Sequence, residues 1–581
     1  PYLHPAGEEN ELVISVGCRN NAPDTVINGH DFEKNRYTPG IYDEVKIIAA
    51  GYPHISGVQV VPDIASSSVR VVADIEKSDM AESGEISYVI RELASGKVVA
   101  EGTAMAVDTE QLSCSADFNT GLSDVNLWSP ESPFLYLLEL ETAGDCLTTR
   151  FGMRSFTANP EGGTFLLNGD PYYLRGTNVC IHRFFEDPAR EDLPWNDEWV
   201  VKLHQGFREM GWNSIRYCIG LPPARWYDIA DSLGFLIQNE YPIWTLGRHE
   251  TIYPDVTAGH LAGEFRAWLP EHWNHPCVVI WDAQNESHWP ITGEAIKMVR
   301  KMDLSGRLWE NGWQPPVYPD DPVEAHPYLF VRYRHEQNNP PECGCLAELL
   351  SEKRFPRNSA NDRSPRENGS LYQNPLIINE YAWLWLNRDG STTTLTDRVY
   401  DVCFGENLTT AERKEIYGRH LGMLTEYWRA HRTCAAVLHF CGLAYSRPEE
   451  PRGQTSDHFI DLENLVYEPT FIEYVKPAFS PVGVMVDFWK KSVGAGKKET
   501  FRIYVINDFN REWSGNLKVY IKNEAGMISS NEHNLDIGAL GRVIIESAFD
   551  LPEDPGDYRL VAELEDEEGN PVKSIRDFSI Q

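Results

Sequence analysis

Short segments in which hydrophobic and polar residues alternate fill the first part of the chain. Gly, Pro, Ser and Asp turns separate them, and no helical pattern lies between them. An alternation with a period of two is typical of strands that pack one face of a sheet on a core. The pattern therefore predicts β-sandwich modules up to about residue 156, with strands at ELVISV (11–16), DEVKIIAA (43–50), SVRVVADI (68–75), SYVIREL (87–93) and FLYLLELET (134–142).

The pattern changes near residue 164. TFLLNGDPYYL (164–174) predicts a hairpin with its turn at NGD, and after it short apolar runs alternate with amphipathic segments. The apolar runs predict eight strands, at residues 172–177, 213–217, 235–239, 278–282, 307–310, 323–326, 376–379 and 435–440. The amphipathic segments predict helices that include residues 199–211, 224–234, 259–273 and 411–431. This alternation predicts a (β/α)8 barrel. The main alternative is a doubly wound open sheet, but no Gly-rich phosphate loop follows any strand.

The β pattern returns after residue 477, in segments such as VGVMVDFW, TFRIYVIND and GNLKVYIKN. We therefore expect four domains, a β-sandwich part at 1–51, a second sandwich at 52–156, the barrel at 157–476 and a C-terminal sandwich at 477–581. A long polar segment at 326–375, rich in Pro, Asn, Arg and Ser, predicts an insertion over the active face of the barrel.

Composition excludes several classes of function. The net charge of −35 argues against binding to nucleic acid, which needs clustered Lys and Arg. No uninterrupted apolar window is long enough to predict a membrane span. The 11 cysteines are irregularly spaced, and the close pair Cys343 and Cys345 has no second pair to complete a zinc site. We expect no disulfide scaffold, no metal and no cofactor.

The first residues of the chain lack the basic and apolar parts of a signal peptide. Because ELVISV already predicts a strand, the chain is expected to begin in the middle of a domain. The location is not determined by the sequence, with the periplasm or secretion favoured over the cytoplasm.

Charged and polar residues stand at the ends of the predicted barrel strands. Catalytic residues of such barrels lie at the carboxyl ends of the strands. A single glutamate there is more often a solvated turn residue, but Glu286 and Glu380 follow two different apolar runs across one opening. Glycoside hydrolysis requires such a pair, because one carboxyl group protonates the departing oxygen while the other attacks or activates water. The full set at these strand ends is Arg216, Glu240, Asn285, Glu286, His326, Tyr328 and Glu380.

Aromatic residues flank the same strand ends. Sugar rings stack on aromatic faces through their C–H surfaces. Trp281 and Trp383 are therefore candidate sugar-binding residues, and for Trp281 packing in the core is an equal alternative.

Four stretches, in chain order, resemble the catalytic half of glycoside hydrolase family 2. They are NPEGGTFLLNGDPYYLRGTN (159–178), GWNSIRYCIGLPPARWYDIADSLGFLIQNEYPIW (211–244), HWNHPCVVIWDAQNES (272–287) and NPLIINEYAW (374–383). A flanking stretch at 37–64 resembles the junction between the family's jelly-roll and immunoglobulin-like domains. The resemblance implies a central (β/α)8 barrel flanked by β-sandwich domains, in which residues 1–51 are the last part of a truncated jelly roll and 52–156 are immunoglobulin-like.

The resemblance also implies roles for individual residues. Glu286 matches the general acid/base, and Glu380 matches the nucleophile of a retaining double displacement. Asn285 would hold the 2-hydroxyl of the sugar. Arg216 and Tyr328 match positions that hydrogen-bond the nucleophile.

The chain departs from the family pattern at positions that bear on the sugar. Asp282-Ala283-Gln284 precedes Asn285 where a Ser-x-Gly is frequent, and His439 or Phe440 stands where the eighth strand commonly supplies a tryptophan. Asn178 begins a motif without the Asn-x-His spacing of the galactosidase branch. His439 and Asn178 are kept as candidate substrate-binding residues.

The sequence thus predicts a retaining exo-β-glycosidase, first of all a β-galactosidase, that acts on oligosaccharides from plant or algal polysaccharides. A β-glucuronidase or other uronidase is the next hypothesis, and Arg183, Arg388 and Arg447 are cations near strand ends that it would use. Two further alternatives are a non-catalytic carbohydrate-binding protein on the same fold and an inverting or lyase-type enzyme. An oligosaccharide is the expected partner, and a homo-oligomer is left open.

Overall fold

A computed structural model describes residues 7–17, 19–36, 40–78, 84–110, 112–159, 163–334 and 374–581. These residues form an eight-stranded parallel barrel with antiparallel β-sandwich layers before and after it in the chain. The fold class predicted from the sequence is confirmed. Most of the predicted insertion at 326–375, with its two cysteines, lies outside the described residues.

The described residues before His54 form no strand, and their one regular element is the short 3-10 helix Arg19–Asn21. The segments 11–16 and 43–50, predicted as strands, have no regular secondary structure. Val13 and Ile47 are 79% and 87% exposed. Alternation alone does not make a strand, because backbone N–H and C=O groups need a neighbouring strand, and no described strand pairs with these segments.

Two four-stranded sheets form the first sandwich, in the orders β1-β2-β6-β5 and β4-β3-β7-β8. Alternate residues of each strand fill the space between the sheets, as Val69, Val71 and Ala73 do in β2. The strands are β1 (His54–Asp63), β2 (Ser68–Glu76), β3 (Glu85–Glu92), β4 (Val98–Met105), β5 (Val107–Glu110), β6 (Ser113–Gly121), β7 (Tyr136–Glu141) and β8 (Cys146–Phe151).

A small antiparallel sheet leads into the barrel. It consists of β9 (Phe156–Asn159), β10 (Thr164–Leu167) and β11 (Asp170–Tyr172). Asn168 and Gly169 connect β10 to β11 with φ angles of 54° and 91°. Two successive positive φ angles are typical of the tight hairpin turn that Asn-Gly favours. The hairpin predicted here is confirmed.

The barrel strands pair in parallel in the order β16-β15-β14-β13-β12-β19-β18-β17. All eight overlap the predicted runs, because each run is a short, nearly continuous apolar stretch that is buried on both faces. The strands are β12 (Leu174–Val179), β13 (Ser214–Tyr217), β14 (Leu236–Glu240), β15 (Val278–Asp282), β16 (Leu308–Glu310), β17 (Val323–Ala325), β18 (Leu376–Ile378) and β19 (Ala436–Leu443).

Helices cover the outside of the barrel. Local sequence fixes some of their starts, since Asn196 accepts the backbone N–H of Trp199 at the start of α2, and Thr409 with Glu412 forms a capping box on α8. Among the described residues, no helix combines the length and apolar character needed to span a bilayer. The helices are α1 (Ile181–Phe184), α2 (Asp197–Glu209), α3 (Ala224–Leu233), α4 (His249–Ile252), α5 (Ala258–His272), α6 (Ile291–Val299), α7 (Asp397–Phe404), α8 (Thr410–His431) and α9 (Pro469–Ala478).

The C-terminal sandwich docks on the barrel through a buried ion pair. Asp508 accepts hydrogen bonds from Arg175 at 3.1 Å and from Arg429 at 2.7 Å. Its sheets have the orders β22-β24-β27 and β23-β29-β28-β25-β26, after the hairpin of β20 (Phe459–Asp461) and β21 (Val466–Tyr467). The strands are β22 (Val482–Val486), β23 (Ser492–Val493), β24 (Lys498–Asn507), β25 (Trp513–Asn523), β26 (Gly526–Ile537), β27 (Arg542–Asp550), β28 (Gly556–Glu565) and β29 (Pro571–Ile580).

Candidate active site

Charged side chains point into the barrel from the carboxyl ends of its strands. Side chains alternate between the inside and the outside of a strand, so residues two apart share a face. Arg216 of β13, Glu240 of β14 and Asp282 of β15 all face inward and are fully buried. Charges at this depth persist when they are paired, and here the pairs converge on Arg216.

Arg216 is the central cation of the site. Its Nη1 donates to Oε1 of Glu380 at 2.7 Å, and its Nε donates to Oδ2 of Asp282 at 3.1 Å. Its Nη2 donates to Oδ1 of Asn285 at 2.8 Å and also pairs with Glu240. Burial lowers the pKa of Arg216, but the carboxylates, Glu240 first among them, outweigh burial and raise this pKa well above its usual range. A permanent positive charge therefore lies beside Glu380.

Glu380 lies just beyond the end of β18 and is held at both carboxylate oxygens. Oε1 accepts from Arg216, and Oε2 accepts from the phenol of Tyr328. Burial, followed by the charge of Glu380, raises the pKa of Tyr328 well above 10.0. The phenol therefore keeps its proton and stays a hydrogen-bond donor to Glu380. These two contacts fix the carboxylate in one orientation at the mouth of the barrel.

Glu286 lies in the loop after β15 and has a φ angle of 39°. This left-handed conformation is uncommon for a residue with a side chain, and strained residues of this kind cluster at functional sites. The preceding Asn285 donates its backbone N–H to the carbonyl of Ile243 at 2.8 Å, which anchors the loop. Burial raises the pKa of Glu286 above 4.5, His326 opposes this shift and Glu380 adds to it. A raised pKa is what a general acid needs.

Glu286 and Glu380 face each other across the mouth, with His326 beside them. One oxygen of each glutamate and one ring nitrogen of His326 lie within 4.8 Å of one another. Nδ1 of His326 is 2.7 Å from Oε1 of Glu286 and 3.7 Å from Oε2 of Glu380. The glutamates are 8% and 5% exposed, so a molecule that touches both must enter the mouth of the barrel.

A second group of carboxylates lies deeper in the barrel. Asp282, Glu310 and Glu324 each offer an oxygen within 4.8 Å of the others. One oxygen of each has no hydrogen-bond partner among the described residues. Burial, with Glu324 as the next cause, raises the pKa of Glu310 well above 4.5. Carboxyl groups of this type also suit hard cations, and the absence of a metal site stays a prediction.

An aromatic wall stands next to Glu380. The ring of Trp383 is edge-on to Tyr328 and its centre lies 4.9 Å from that of Tyr328. Trp385 lies against Trp383 at the same distance, and Trp383 itself is half-buried. An exposed aromatic edge beside the nucleophile candidate is suited to contact with the C–H face of a sugar. Contact of Trp383 with a sugar stays a prediction.

Two predicted substrate-binding residues lie elsewhere. Trp281 faces out of the barrel, where its ring contacts Trp268 and its indole N–H donates to Asp303 at 2.8 Å. His439 also faces outward and packs against Trp212 with ring centres 4.9 Å apart. Both residues directly neighbour inward-facing ones, so the alternation of the strand turns them to the helical layer. The expectation that they contact sugar is not supported by their positions.

Asn178 and Glu240 belong to the site but lie below its open surface. Asn178 donates to the carbonyl of Asn379 at 2.6 Å, and its Oδ1 accepts from Arg216 at 3.3 Å. Glu240 accepts the backbone N–H of Ile219 as well as pairing with Arg216. Both are fully buried, so they support Arg216 and have no surface for a sugar.

The segment before the first sandwich completes the mouth of the barrel. Asp31 and Glu33 each accept a hydrogen bond from the guanidinium of Arg183, both at 2.8 Å. Between them, Phe32 packs edge-on against Trp244 with ring centres 5.0 Å apart. Burial, opposed by Arg183, raises the pKa of Glu33 to about 7.

Sequence reasoning missed the roles of Glu310, Glu324, Asp31 and Glu33. Glu324 had a detectable signal, because it lies two residues before His326 and therefore shares its inward face. Asp31 and Glu33 had none, since they lie about 150 residues from Arg183 in the chain.

Two family models match this chain. The model of "Glycosyl hydrolases family 2" matches residues 53–154, and that of "Glycosyl hydrolases family 2, TIM barrel domain" matches residues 160–406. The chain belongs to glycosyl hydrolase family 2. The matched regions contain the first sandwich and the barrel strands that carry Glu286 and Glu380, and the resemblance found in the sequence is confirmed.

Family 2 proteins with similar sequences are named for two different glycosidase activities. A provisionally named beta-glucuronidase of Formosa agariphila is 28% identical over 290 residues, 47% of this chain and 26% of that protein. Beta-galactosidase BgaC of Bifidobacterium adolescentis is 23% identical over 456 residues, 68% of this chain and 39% of that protein. The chain thus spans well under half the length of these relatives.

Solved structures show the same fold. The exo-chitosanase CsxA of Amycolatopsis orientalis superposes with a TM-score of 0.58 at 14% identity, over 91% of this chain and 63% of that one. An FMN-binding beta-glucuronidase of Faecalibacterium prausnitzii superposes with a TM-score of 0.52 at 16% identity, over 91% of this chain and 74% of that one.

Proposed function

We propose that this family 2 chain is a retaining, exo-acting β-glycosidase that removes terminal sugars from polysaccharide-derived oligosaccharides, with β-galactosides as first substrates. The observation that carries the proposal is the pair Glu286 and Glu380, whose nearest oxygens lie within 4.8 Å. Retaining enzymes hold their two carboxyl groups about 5–5.5 Å apart, whereas inverting enzymes leave about 6.5–9.5 Å for a water molecule. The short separation supports retention.

Each glutamate has surroundings suited to one role. Glu380 attacks the anomeric carbon while Glu286 gives its proton to the departing glycosidic oxygen, and this produces a glycosyl-enzyme. Arg216 and Tyr328 stabilise the negative charge of Glu380 before the attack and orient its oxygens. Glu286 then takes a proton from water, whose oxygen replaces Glu380 at the anomeric carbon. Asn285, fixed by Arg216, is positioned for the 2-hydroxyl.

Charge at the mouth favours a neutral sugar over a uronide. The three arginines that the sequence offers for a uronide are already paired with acidic groups. Arg183 binds Asp31 and Glu33, Arg388 binds Asp187 and Asp457, and Arg447 binds Glu186. At these three positions a carboxylate on the sugar would therefore meet neutralised cations and several negative side chains, and such like-charge contacts are costly.

A panel of nitrophenyl glycosides tests the sugar. We expect the highest kcat/KM with the β-galactoside, and a kcat/KM roughly 100-fold or more lower with the β-glucuronide because its carboxylate is repelled. The panel also includes β-mannoside, α-arabinoside and α-galactoside. A preference for the glucuronide would contradict the charge argument, and binding without turnover of every member would favour a carbohydrate-binding protein.

Replacement of Glu286 tests its role as general acid. We expect Glu286→Ala to lower kcat/KM for a poor leaving group such as a methyl glycoside by about 10²- to 10⁴-fold. A dinitrophenyl glycoside should lose much less, because its leaving group departs without a proton. The measurement is kcat/KM for both substrates in the variant and in Glu294→Ala, which removes a glutamate 60% exposed on α6. Equal losses on both substrates would rule out this role.

A further inference from the structure

His326 joins Glu286 to a carboxylate deeper in the barrel. It directly follows β17, and Glu324 lies two residues earlier, so both side chains face inward. Nδ1 of His326 lies 2.7 Å from Oε1 of Glu286, and Nε2 lies 2.9 Å from Oε2 of Glu324. One imidazole therefore connects the proposed acid/base to Glu324 through both of its nitrogens.

The far end of this connection is held firmly. Oε2 of Glu324 also accepts from Nδ2 of Asn379 at 2.9 Å, and Arg216 lies 3.6 Å away. Glu324 and His326 are both fully buried. The rings of Trp313 and Tyr328 stand edge-on to His326. The imidazole therefore has one orientation, in which neither nitrogen is available for a sugar hydroxyl.

The charges around the imidazole favour its cationic form. Burial lowers the pKa of His326, but Glu324 and then Glu380 outweigh burial and raise this pKa well above 6.5. Burial likewise raises the pKa of Glu324, yet His326 outweighs it and lowers this pKa to about 2. An imidazolium carries a proton on both nitrogens, so it donates to Glu286 and Glu324 at once. The titratable and charged groups around this pair are Asp282, Glu286, Glu310, Tyr328, Glu380 and Arg216.

We propose that Glu324 and His326 act as a positioning pair that orients Glu286 and stabilises its carboxylate form. The proposal rests on the proposed function and replaces the expectation that His326 contacts the sugar. Its observation is a continuous line of hydrogen bonds from Glu286 through His326 to Glu324.

The pair acts differently on the two halves of the reaction. In the first step the proton of Glu286 passes to the departing oxygen while Glu380 bonds to the anomeric carbon. Glu286 is then a carboxylate opposite an imidazolium, and Glu380 has lost its charge. In the second step Glu286 takes a proton from water as the bond to Glu380 breaks. His326 keeps both protons throughout, so its charge favours the form of Glu286 that acts as a base.

Two variants remove this charge with little change in shape. Glu324→Gln keeps an acceptor for Nε2 but removes the charge that holds His326 cationic, and His326→Gln removes the cation itself. We expect the basic limb of the kcat/KM pH profile to move to higher pH by roughly one unit or more in both variants, since the pKa of Glu286 rises without a neighbouring cation. With a dinitrophenyl glycoside, for which the second step limits turnover, kcat should fall roughly 10- to 100-fold.

His204→Gln is the matched control. His204 is also fully buried, but it lies in α2 and bonds the carbonyl of Val200 and the hydroxyl of Tyr217. The loss of His204 should leave the basic limb of the kcat/KM pH profile at the wild-type pH. A basic limb at the wild-type pH in both Glu324→Gln and His326→Gln would overturn the proposal, because a merely structural role does not move it.

A second measurement needs no turnover. In protein with ¹⁵N-labelled histidine, the imidazole signal lost in His326→Gln identifies His326, and we expect it to be cationic from pH 6 to 8. In Glu324→Gln the same signal should change to the neutral form within this range. If the wild type hydrolyses no glycoside but shows this behaviour, the proposed function fails and the pair stands. A neutral His326 in the wild type at pH 7 would overturn the pair.

Discussion

Glu380→Gly should abolish hydrolysis of a nitrophenyl glycoside and recover part of it when azide is added. Removal of the nucleophile should lower kcat on the order of 10⁴-fold or more, because the remaining groups cannot form the glycosyl-enzyme. The glycine leaves a space beside Arg216 and Tyr328, the two donors of Glu380, in which a small anion can bind. Azide should attack the anomeric carbon from that space. The product, measured by NMR, should be the glycosyl azide of inverted configuration.

Glu380→Gln is the control for this experiment. The amide has nearly the size of the carboxylate, so it removes the nucleophile without leaving room for azide. We expect Glu380→Gln to be as inactive as Glu380→Gly and not to respond to azide. Hydrolysis near the wild-type rate in either variant, or no glycosyl azide from Glu380→Gly, would show that Glu380 is not the nucleophile.

Arg216→Met should cause the largest loss of stability of any single substitution in the site. The side chains are similar in length, but the buried carboxylates Glu240, Asp282 and Glu380 lose their common cation. Breaking a buried ion pair from one side costs about 3–5 kcal/mol, because the remaining charges stay buried without compensation. The measurement is the free energy of unfolding in urea at pH 7, followed by the fluorescence of the barrel tryptophans.

The same variant gives a test with pH. Burial raises the pKa of Glu240 and Arg216 opposes this shift, so without Arg216 this pKa should rise further. The contribution of Glu240 to stability is then present at low pH and is lost as pH rises. The deficit of Arg216→Met should therefore be smaller at pH 5 than at pH 8. Arg70→Met, which breaks the exposed pair with Asp117, is the control and should unfold like the wild type at both pH values. Equal stability of Arg216→Met and wild type at pH 7 would contradict the central role of Arg216.

The barrel was predictable from sequence because its strands are short apolar runs, and such runs between amphipathic helices are compatible with few other structures. Val278–Asp282 is buried at every position, and no exposed face complicates the pattern. The glutamates beyond such runs are predictable for the same reason, since a chain that leaves a buried strand exposes its next residues at the mouth. The same reasoning predicts that Glu286 and Glu380 lie at the mouth of the barrel.

Other parts of the site depend on contacts between distant residues. Glu324 lies in a three-residue buried strand, where a charged residue is not expected from the local sequence. Its charge is compensated by Arg216 and His326, which are distant in the chain or lie beyond the strand. The residue types of Trp281 and His439 favour contact with a sugar, but the alternation of their strands turns both side chains to the helical layer. Residues 11–16 do alternate between hydrophobic and polar, but a strand also requires a neighbouring strand with which its backbone can form hydrogen bonds.

The ion pairs of Arg183 with Asp31 and Glu33 have a consequence for how such a site can diversify. The two carboxylates come from a segment that contributes nothing to the wall of the barrel, yet they determine how much positive charge remains at its mouth. A substitution that replaces one of them by a neutral residue would return part of that charge to the pocket while every barrel residue stays the same. We therefore expect the preference between neutral and acidic sugars to be sensitive to mutations outside the barrel.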